Sequence, residues 1–260
     1  MSADIFLSIR AKSTRLPKKA LLEIKGKTVT EHLIDRLKQA RRPRQIIMCT
    51  STHPGDDVLV EIAERAGICF FRGHEEDKLD RYLQACRTHG TEYAVIVDGD
   101  DIFCDPEYID RIIGYIWAKD ADYVTTSGLP LGCAAHAVKA YALERVCVLK
   151  GETDTEVWGG YFTNTGRFKS EVVEVEDPEL RHPEIRMTLD YKEDFEFFKR
   201  VFHELYSPDK VFSLVGIMRL LQRKPEIVQI NRGAQARYEA NLQKAKPVRL
   251  VVAPASAVRS

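Results

Sequence analysis

The chain is 260 residues long, a length that suits one large domain whose core needs no disulfide or metal ion to stabilise it. It contains 39 basic and 39 acidic residues, so its formal net charge at pH 7 is zero, and 44% of its residues are hydrophobic. These values exclude a disordered chain, argue against a general nucleic-acid binder, and require any functional charge to be local.

In the first half of the chain, short runs rich in isoleucine and valine alternate with longer amphipathic runs. This alternation predicts an α/β fold with a mostly parallel central sheet flanked by helices. Two helices carry capping signals, Thr28 with Glu31 three residues on, and Asp105 directly before Pro106. The predicted strands cover residues 4–9, 45–50, 68–71 and 93–97. The predicted helices begin after the two caps and cover residues 58–66 and 78–88.

The second half of the chain is less regular. A strongly periodic helix is predicted over residues 192–206, and a glycine-rich aromatic stretch covers residues 158–162. The last residues are predicted to form a docked strand around 248–252 or a loose tail. The seven histidines show no metal-ligand spacing and are predicted to lie on the surface or in loops.

The spacing of the cysteines and the length of the apolar runs indicate the cellular compartment of the protein. The six cysteines are scattered without a CxxC pair, which predicts reduced, partly buried thiols and no zinc site. The first apolar run is too short for the core of a signal peptide, and the other runs are strand-sized. The sequence therefore predicts a cytoplasmic protein without membrane insertion.

A basic segment, residues 10–19, directly follows the first predicted strand. It contains five cations and no acid, Arg10, Lys12, Arg15, Lys18 and Lys19. Ligands bind at the carboxyl ends of strands in open α/β sheets, and this mixture of arginine and lysine suits several phosphate groups. The alternative is a solvated basic loop, and the absence of glycine from the segment excludes a P-loop.

Acidic residues follow the most apolar predicted strand. Asp98, Asp100 and Asp101 would crowd at the same sheet edge as the basic segment, which favours Mg²⁺ or Mn²⁺ bridging to substrate phosphates. Helix capping and loop solvation are the alternative interpretation. A later aspartate, Asp190, is predicted at the end of a short strand before the helix at Lys192, and alone it indicates only a capped helix start.

Four segments together resemble the cytidylyltransferase family that activates acidic sugars, the enzymes that make CMP-sialate and CMP-3-deoxy-manno-octulosonate. The likeness is greatest to the branch named for spore-coat polysaccharide biosynthesis and extends over roughly residues 4–225. Lys18 stands where the family has a glycine. The first segment is Ile9–Lys19, the third is Gly99-Asp100-Asp101 with Asp105-Pro106, and the fourth is Arg186–Asp194. The second covers residues 50–82, with Thr50-Ser51-Thr52, Asp56-Asp57, Phe71-Arg72-Gly73 and Leu79-Asp80-Arg81-Tyr82.

The resemblance implies a Rossmann-like nucleotide-diphospho-sugar transferase fold. It also implies a catalytic domain over residues 1–225 with a C-terminal extension at 226–260, CTP as co-substrate, Mg²⁺ with Mn²⁺ as a possible substitute, and a homodimer. Residues 158–162 would lie near the acceptor or a dimer arm. Carried over by position, the catalytic residues are Arg10, Lys19 and Asp100; the nucleotide-binding residues are Arg10, Ser13, Thr14, Arg15, Lys19, Thr50, Ser51, Arg72 and Asp100; the metal ligands are Asp100 and Asp190.

The implied reaction couples CTP to an acidic sugar and releases pyrophosphate, for surface polysaccharide or glycan biosynthesis. Two alternatives remain open. One is a metal-dependent glycosyltransferase that uses a nucleotide sugar through Asp98 and Asp100, and the other is a non-catalytic nucleotide-binding homologue. Five cations in the first loop favour a triphosphate over a diphosphate, and nothing in the residues alone excludes UTP.

Overall fold

The computed structural model describes residues 1–242, 248 and 250. The strands are β1 (Ala3–Ser8), β2 (Glu23–Ile24), β3 (Lys27–Thr28), β4 (Ile46–Ser51), β5 (Cys69–Gly73), β6 (Tyr93–Asp98), β7 (Tyr123–Ser127), β8 (His136–Lys139) and β9 (Ser170–Glu174). Seven of them form one sheet in the order β5-β4-β1-β6-β8-β7-β9, and β2 pairs with β3 in a small hairpin. Within the large sheet, β8 runs antiparallel to both of its neighbours and the other pairs are parallel. The predicted α/β fold with a mostly parallel sheet is confirmed.

Helices cover both faces of the sheet. They are α1 (Val29–Leu37), α2 (Asp57–Arg65), α3 (Lys78–His89), α4 (Pro106–Lys119), α5 (Ala140–Leu149), α6 (Gly160–Thr163), α7 (Lys192–Leu205), α8 (Leu214–Arg223), α9 (Glu226–Gln229) and α10 (Ala234–Leu242). Alternate residues of β1 point to opposite faces, so Ile5 and Leu7 pack with α1, α2 and α4 while Phe6 packs with α3 and α5. None of the helices in the described part of the chain is long and apolar enough to cross a membrane.

Both predicted caps form as expected. The Thr28 hydroxyl accepts from the Glu31 amide at 3.1 Å while the Glu31 carboxylate accepts from the Thr28 amide at 2.8 Å, which is a complete capping box. Asp105 accepts from the amides of Glu107 and Tyr108. These local signals fix where α1 and α4 begin, because each satisfies amides that have no partner inside the helix.

The second half of the chain departs from its predicted structure in the segment before Asp190. The prediction of a short strand that ends at Asp190 is wrong. Arg186 makes only an isolated bridge, with Leu131, and residues 187–190 follow an irregular path. Residues 226–242 contain α9 and α10, with Ile227 in α9 and Asn231 between the two helices buried. Most of the strand or tail predicted around residues 248–252 lies outside the described residues.

Candidate active site

A cleft of about 760 Å³ opens at the carboxyl edge of the sheet. Ser8 at the end of β1 pairs in register with Asp98 at the end of β6, so the basic loop, residues 10–19, and residues 98–101 leave the sheet side by side. Gly99 permits this approach, because a Cβ there would lie 2.6 Å from a carbon of the Ile9 side chain. The predicted site residues that line the cleft are Arg10, Ser13, Thr14, Arg15, Lys19, Asp100 and Asp190.

The second end of the basic loop, Arg15 to Lys19, meets two carboxylates. The Lys19 ammonium lies 2.7 Å from Asp100 Oδ2 and 3.1 Å from Asp190 Oδ1 and donates to the carbonyl of Leu189 at 3.0 Å. Arg15 donates to the same Asp190 oxygen at 2.5 Å. Burial alone would lower the pKa of Lys19, but the two carboxylates outweigh it and raise the pKa to about 12. Lys19 is therefore a permanent cation.

Asp190 is held in place from behind by a buried network. Arg186 donates to Asp190 Oδ2 at 3.1 Å and to both oxygens of Asp194 at 2.9 and 3.0 Å. Asp194 also accepts from the amides of Asp190 and Tyr191 and from the side chain of Asn231, each at 2.9 Å. The Asp190 carboxylate therefore has one oxygen held by Arg186 and the other contacted by Arg15 and Lys19 on the cleft side, so its position is fixed, as that of a metal ligand must be.

The first end of the basic loop pairs with acidic groups from other segments. Arg10 donates to the backbone oxygen of Glu75 and to Glu156 Oε2, both at 2.8 Å. The buried Lys78 ammonium, at the start of α3, lies 3.1 Å from Glu156 Oε1 and 3.2 Å from Asp98 Oδ1. The fold thus supplies this cation-rich loop with acids that its own sequence lacks.

The three aspartates after β6 have different surroundings. Asp98 pairs with Lys78 and Asp100 pairs with Lys19. Burial would raise the pKa of Asp100, but Lys19 outweighs it and lowers that pKa. Burial and the neighbouring charges of Asp100 and Asp98 raise the pKa of Asp101 well above its ordinary value. The three residues therefore do not act as one set of ligands.

The donors around Lys19 fit a divalent cation. Two carboxylates and a carbonyl oxygen converge on one positive charge there, and hard oxygen donors are what Mg²⁺ and Mn²⁺ prefer. Within residues 1–242, 248 and 250, no three histidine, cysteine, aspartate or glutamate side chains form a ready-made metal cage. A metal ion held by Asp100 and Asp190 would therefore take its other ligands from substrate phosphate and water.

Three predicted nucleotide ligands are not brought to the cleft. The Thr50 and Ser51 hydroxyls donate to Asp56, whose second oxygen accepts from the Ala11 amide at 2.7 Å. Arg72 donates to the carbonyl of Ser51 at the end of β4 at 3.0 Å and to the carbonyl of His53 at 2.9 Å. It also pairs with Asp57 at the start of α2. Thr50 and Ser51 thus hold the carboxylate that anchors the start of the basic loop.

Lys18, which replaces the glycine of the family motif, adopts a left-handed backbone conformation with φ of 54° and ψ of 30°. Glycine adopts this conformation without the strain that a Cβ brings. The Lys18 carbonyl accepts from the amide of Leu21 at 2.8 Å and so begins the short turn that carries Lys19. The Lys18 side chain is exposed and lies outside the cleft lining.

Several residues that line the cleft could not be predicted from the sequence. Lys78, Glu156 and Tyr238 have no local signal, because distant segments bring them to the cleft. His136 also lines the cleft, and its Nδ1 lies 2.7 Å from the Tyr123 hydroxyl. The placement of all histidines on the surface or in loops is wrong, because His136 begins β8 and His32 is buried in α1 against the carbonyl of Ile24.

Comparison with known proteins agrees with this geometry. A cytidylyltransferase family model matches residues 5–206. The spore coat polysaccharide biosynthesis protein SpsF of Bacillus subtilis is 28% identical over 86% of this chain and 96% of its own length. A 3-deoxy-manno-octulosonate cytidylyltransferase of Aeromonas salmonicida is 29% identical over 63% of this chain and 62% of its own. The structure of a cytidylyltransferase from Leptospira borgpetersenii has a TM-score of 0.80 at 25% identity, over 88% of this chain and 97% of that one.

These matches confirm the resemblance that the motifs indicated. The matched region contains the basic loop, residues 98–101 and the Arg186 to Asp194 segment, and it ends before Asn231 and Tyr238. The chain belongs to the cytidylyltransferase family and is a CTP-using nucleotidyltransferase.

Proposed function

We propose that the protein transfers the cytidylyl group of CTP to an acidic sugar, with magnesium, to form a CMP-sugar and pyrophosphate for surface polysaccharide or glycan biosynthesis. The observation that carries the proposal is the meeting of the loop cations Arg10, Arg15 and Lys19 with Asp100 and Asp190 in one cleft. A keto-acid sugar such as a nonulosonate or octulosonate is the proposed acceptor class, in line with the Aeromonas relative named for 3-deoxy-manno-octulosonate.

In this reaction the protein mainly positions the acceptor and CTP and stabilises the negative charge on the leaving pyrophosphate. The oxygen of an acceptor hydroxyl group attacks the α-phosphorus of CTP and its proton is released to solvent, while the bond to the bridging oxygen breaks and pyrophosphate leaves with the negative charge. Arg10, Arg15 and Lys19 would bind the triphosphate and stabilise that charge. By analogy with oxyanion-hole donors, losing one such contact costs about 3–4 kcal/mol, or about a hundred- to a thousandfold in rate.

Charge balance supports a need for magnesium. The cleft is lined by six lysine or arginine side chains and eight aspartate or glutamate side chains among the described residues. A triphosphate adds further negative charge, so its binding needs an added cation. Asp100 and Asp190 would hold Mg²⁺, which supplies positive charge beside the phosphates when it is bound.

The two alternatives differ in what the site must do. A glycosyltransferase with an Asp-x-Asp motif would use Asp98 and Asp100 on one metal ion, whereas here they pair with different lysines, Lys78 and Lys19. The argument for a non-catalytic homologue is that Lys18 stands where the family motif has a glycine, but Lys18 adopts a left-handed backbone conformation that is open to glycine. Both observations favour the cytidylyltransferase reaction, and release of pyrophosphate rather than a nucleoside diphosphate distinguishes it from glycosyl transfer.

The first test measures the melting temperature with CTP, UTP, ATP and GTP, each with and without Mg²⁺. We expect a shift specific to CTP with Mg²⁺, equivalent to about 2.7 kcal/mol at about 100 times the dissociation constant. The shift should be reduced in Asp100→Asn and Arg10→Ala. A pyrophosphate-release screen over acidic sugars then identifies the acceptor.

Other outcomes of this test would contradict the proposal. A shift with a nucleotide sugar and Mn²⁺, but with no triphosphate, would favour glycosyl transfer. The absence of a shift with every nucleotide would contradict nucleotide binding, and a shift with CTP but no pyrophosphate release with any acidic sugar would favour the non-catalytic nucleotide-binding homologue. The homodimer and the cytoplasmic location that the sequence predicts stay predictions, and sedimentation of the purified protein tests the first of them.

A further inference from the structure

The Glu156 carboxylate forms ion pairs with two cations of the cleft at the same time. One of its carboxylate oxygens accepts from Arg10 at 2.8 Å and the other lies 3.1 Å from the Lys78 ammonium. Burial would raise the pKa of Glu156, but Lys78 and Arg10 outweigh it and lower that pKa. Glu156 is therefore ionised, and it satisfies a pair of cations that would otherwise face an open cleft.

The carboxylates of the cleft differ in how easily they could leave their cations. The Asp190 side chain is 1% exposed and is held from behind by Arg186. Asp98 and Asp100 sit at the end of a central strand. Glu156 lies in the irregular segment between α5 and α6, and its side chain is 53% exposed. Of these four carboxylates, Glu156 is therefore the one that an incoming anion would displace at the lowest cost.

The position of Glu156 is set by its neighbour in the chain. The buried Thr155 hydroxyl donates to Asp77 at 3.1 Å and accepts from the Leu79 amide at 3.1 Å. These partners flank Lys78 at the start of α3, so the segment that carries Glu156 is attached beside the lysine that Glu156 pairs with. A side chain can rotate away from such a fixed backbone without unfolding the segment.

We propose that Arg10 and Lys78 form an anion-binding pair for a substrate, and that Glu156 fills this pair until the substrate arrives. The ligand is a phosphate group of CTP or the carboxylate of the acidic acceptor, since a carboxylate from the protein already satisfies both cations. The inference rests on the proposed function and adds Lys78 to the substrate-binding residues.

The test compares Glu156→Gln with Glu152→Gln, which removes the same charge from the same segment outside the cleft lining. Calorimetry measures the dissociation constants of CTP with Mg²⁺, of inorganic pyrophosphate and of 3-deoxy-manno-octulosonate. We expect Glu156→Gln to bind at least one probe about two- to tenfold more tightly than wild type, because two partly exposed ion pairs no longer compete. Tightening of CTP or pyrophosphate assigns the pair to phosphate, and tightening of the sugar acid alone assigns it to the acceptor.

A second variant identifies the cation that is released. In a Lys78→Gln background, Glu156→Gln should give less tightening than in wild type, because one of its two cations is gone. The inference is overturned if Glu156→Gln tightens no probe more than Glu152→Gln does, or if it weakens them all. Failure of wild type to bind any nucleoside triphosphate would instead contradict the proposed function, while the pyrophosphate arm would still test the anion-binding pair.

Discussion

The two ends of the basic loop meet counter-charges of different kinds. At the first end, Arg10 pairs with Glu156, whose side chain is 53% exposed. At the second end, Arg15 and Lys19 pair with Asp190, whose side chain is 1% exposed. An exposed pair contributes up to about 1 kcal/mol and exchanges readily, whereas a buried carboxylate that loses a partner costs about 3–5 kcal/mol.

This difference separates two tasks within one loop. The second end keeps its carboxylates in fixed positions, as a metal site requires, because Arg186 and Asp194 lock Asp190 from the side away from the cleft. The first end keeps its cations paired but replaceable, as a site for an incoming anion requires. Variants that loosen the second end should therefore cost far more stability than variants at the first.

The largest effect is expected from Arg186→Met, which removes the support of the second end. It leaves the buried Asp190 and Asp194 without their common partner, so the free energy of unfolding should fall by about 3–5 kcal/mol. Urea denaturation measures the change. The control is Arg237→Met, whose half-exposed side chain pairs with Glu193, and we expect a loss below about 1 kcal/mol there. Similar losses in both variants would show that the buried Arg186 network supports the second end no more than an exposed ion pair would.

A smaller effect is expected from Asp56→Asn, which removes the anchor of the first end. Burial would raise the pKa of Asp56, but hydrogen bonds from Ser51, Ala11 and Thr50 outweigh it and lower that pKa. The ionised carboxylate therefore adds stability that is fully present above its unfolded pKa of about 3.9 and is lost as the pH falls through the lower folded pKa. At pH 7, Asp56→Asn should lose about 1.5–3 kcal/mol.

The pH dependence provides the check on this second prediction. The stability difference between wild type and Asp56→Asn should shrink as the pH falls below about 4, because the Asp56 carboxylate is protonated in the unfolded chain before it is protonated in the folded protein. Asp57→Asn is the control, since its side chain is 61% exposed and pairs with Arg72 on the surface of the loop. A difference that stays constant from pH 7 to pH 3 would show that the charge of Asp56 does not anchor the loop.

The parts of the molecule that the sequence predicted correctly depend on neighbouring residues. The cap at Thr28 involves a partner three residues away, and the apolar run of β6 leads directly into Asp98. Such signals stand together in the chain, so local patterns indicate them. The same holds for the periodic helix that begins at Lys192.

The missed parts depend on contacts between distant segments. Arg10 and Glu156 are 146 residues apart, and Arg15 and Asp190 are 175 apart. Periodicity and spacing in the sequence do not indicate which acid contacts which cation, because the folding of distant segments determines these pairs. Asp190 could be assigned to the site because it lies in a motif of the resembling family. Glu156 lies in no such motif, so only the structure shows that it faces the cleft.

The smallest effect is expected from Lys18→Gly. This variant tests whether the backbone conformation or the charge of Lys18 destabilises the second end of the loop. Relief of the left-handed strain favours glycine by about 1–2 kcal/mol. The greater freedom of glycine in the unfolded chain offsets about 0.4–1 kcal/mol of this, so a net gain of about 0.5 kcal/mol is expected. Lys18→Ala removes the same charge but keeps the Cβ, and it should show no gain in urea denaturation. Equal gains in stability in the two variants would contradict backbone strain as the cause. They would mean that Lys18 destabilises the loop because its charge is repelled by Lys19 and Arg15.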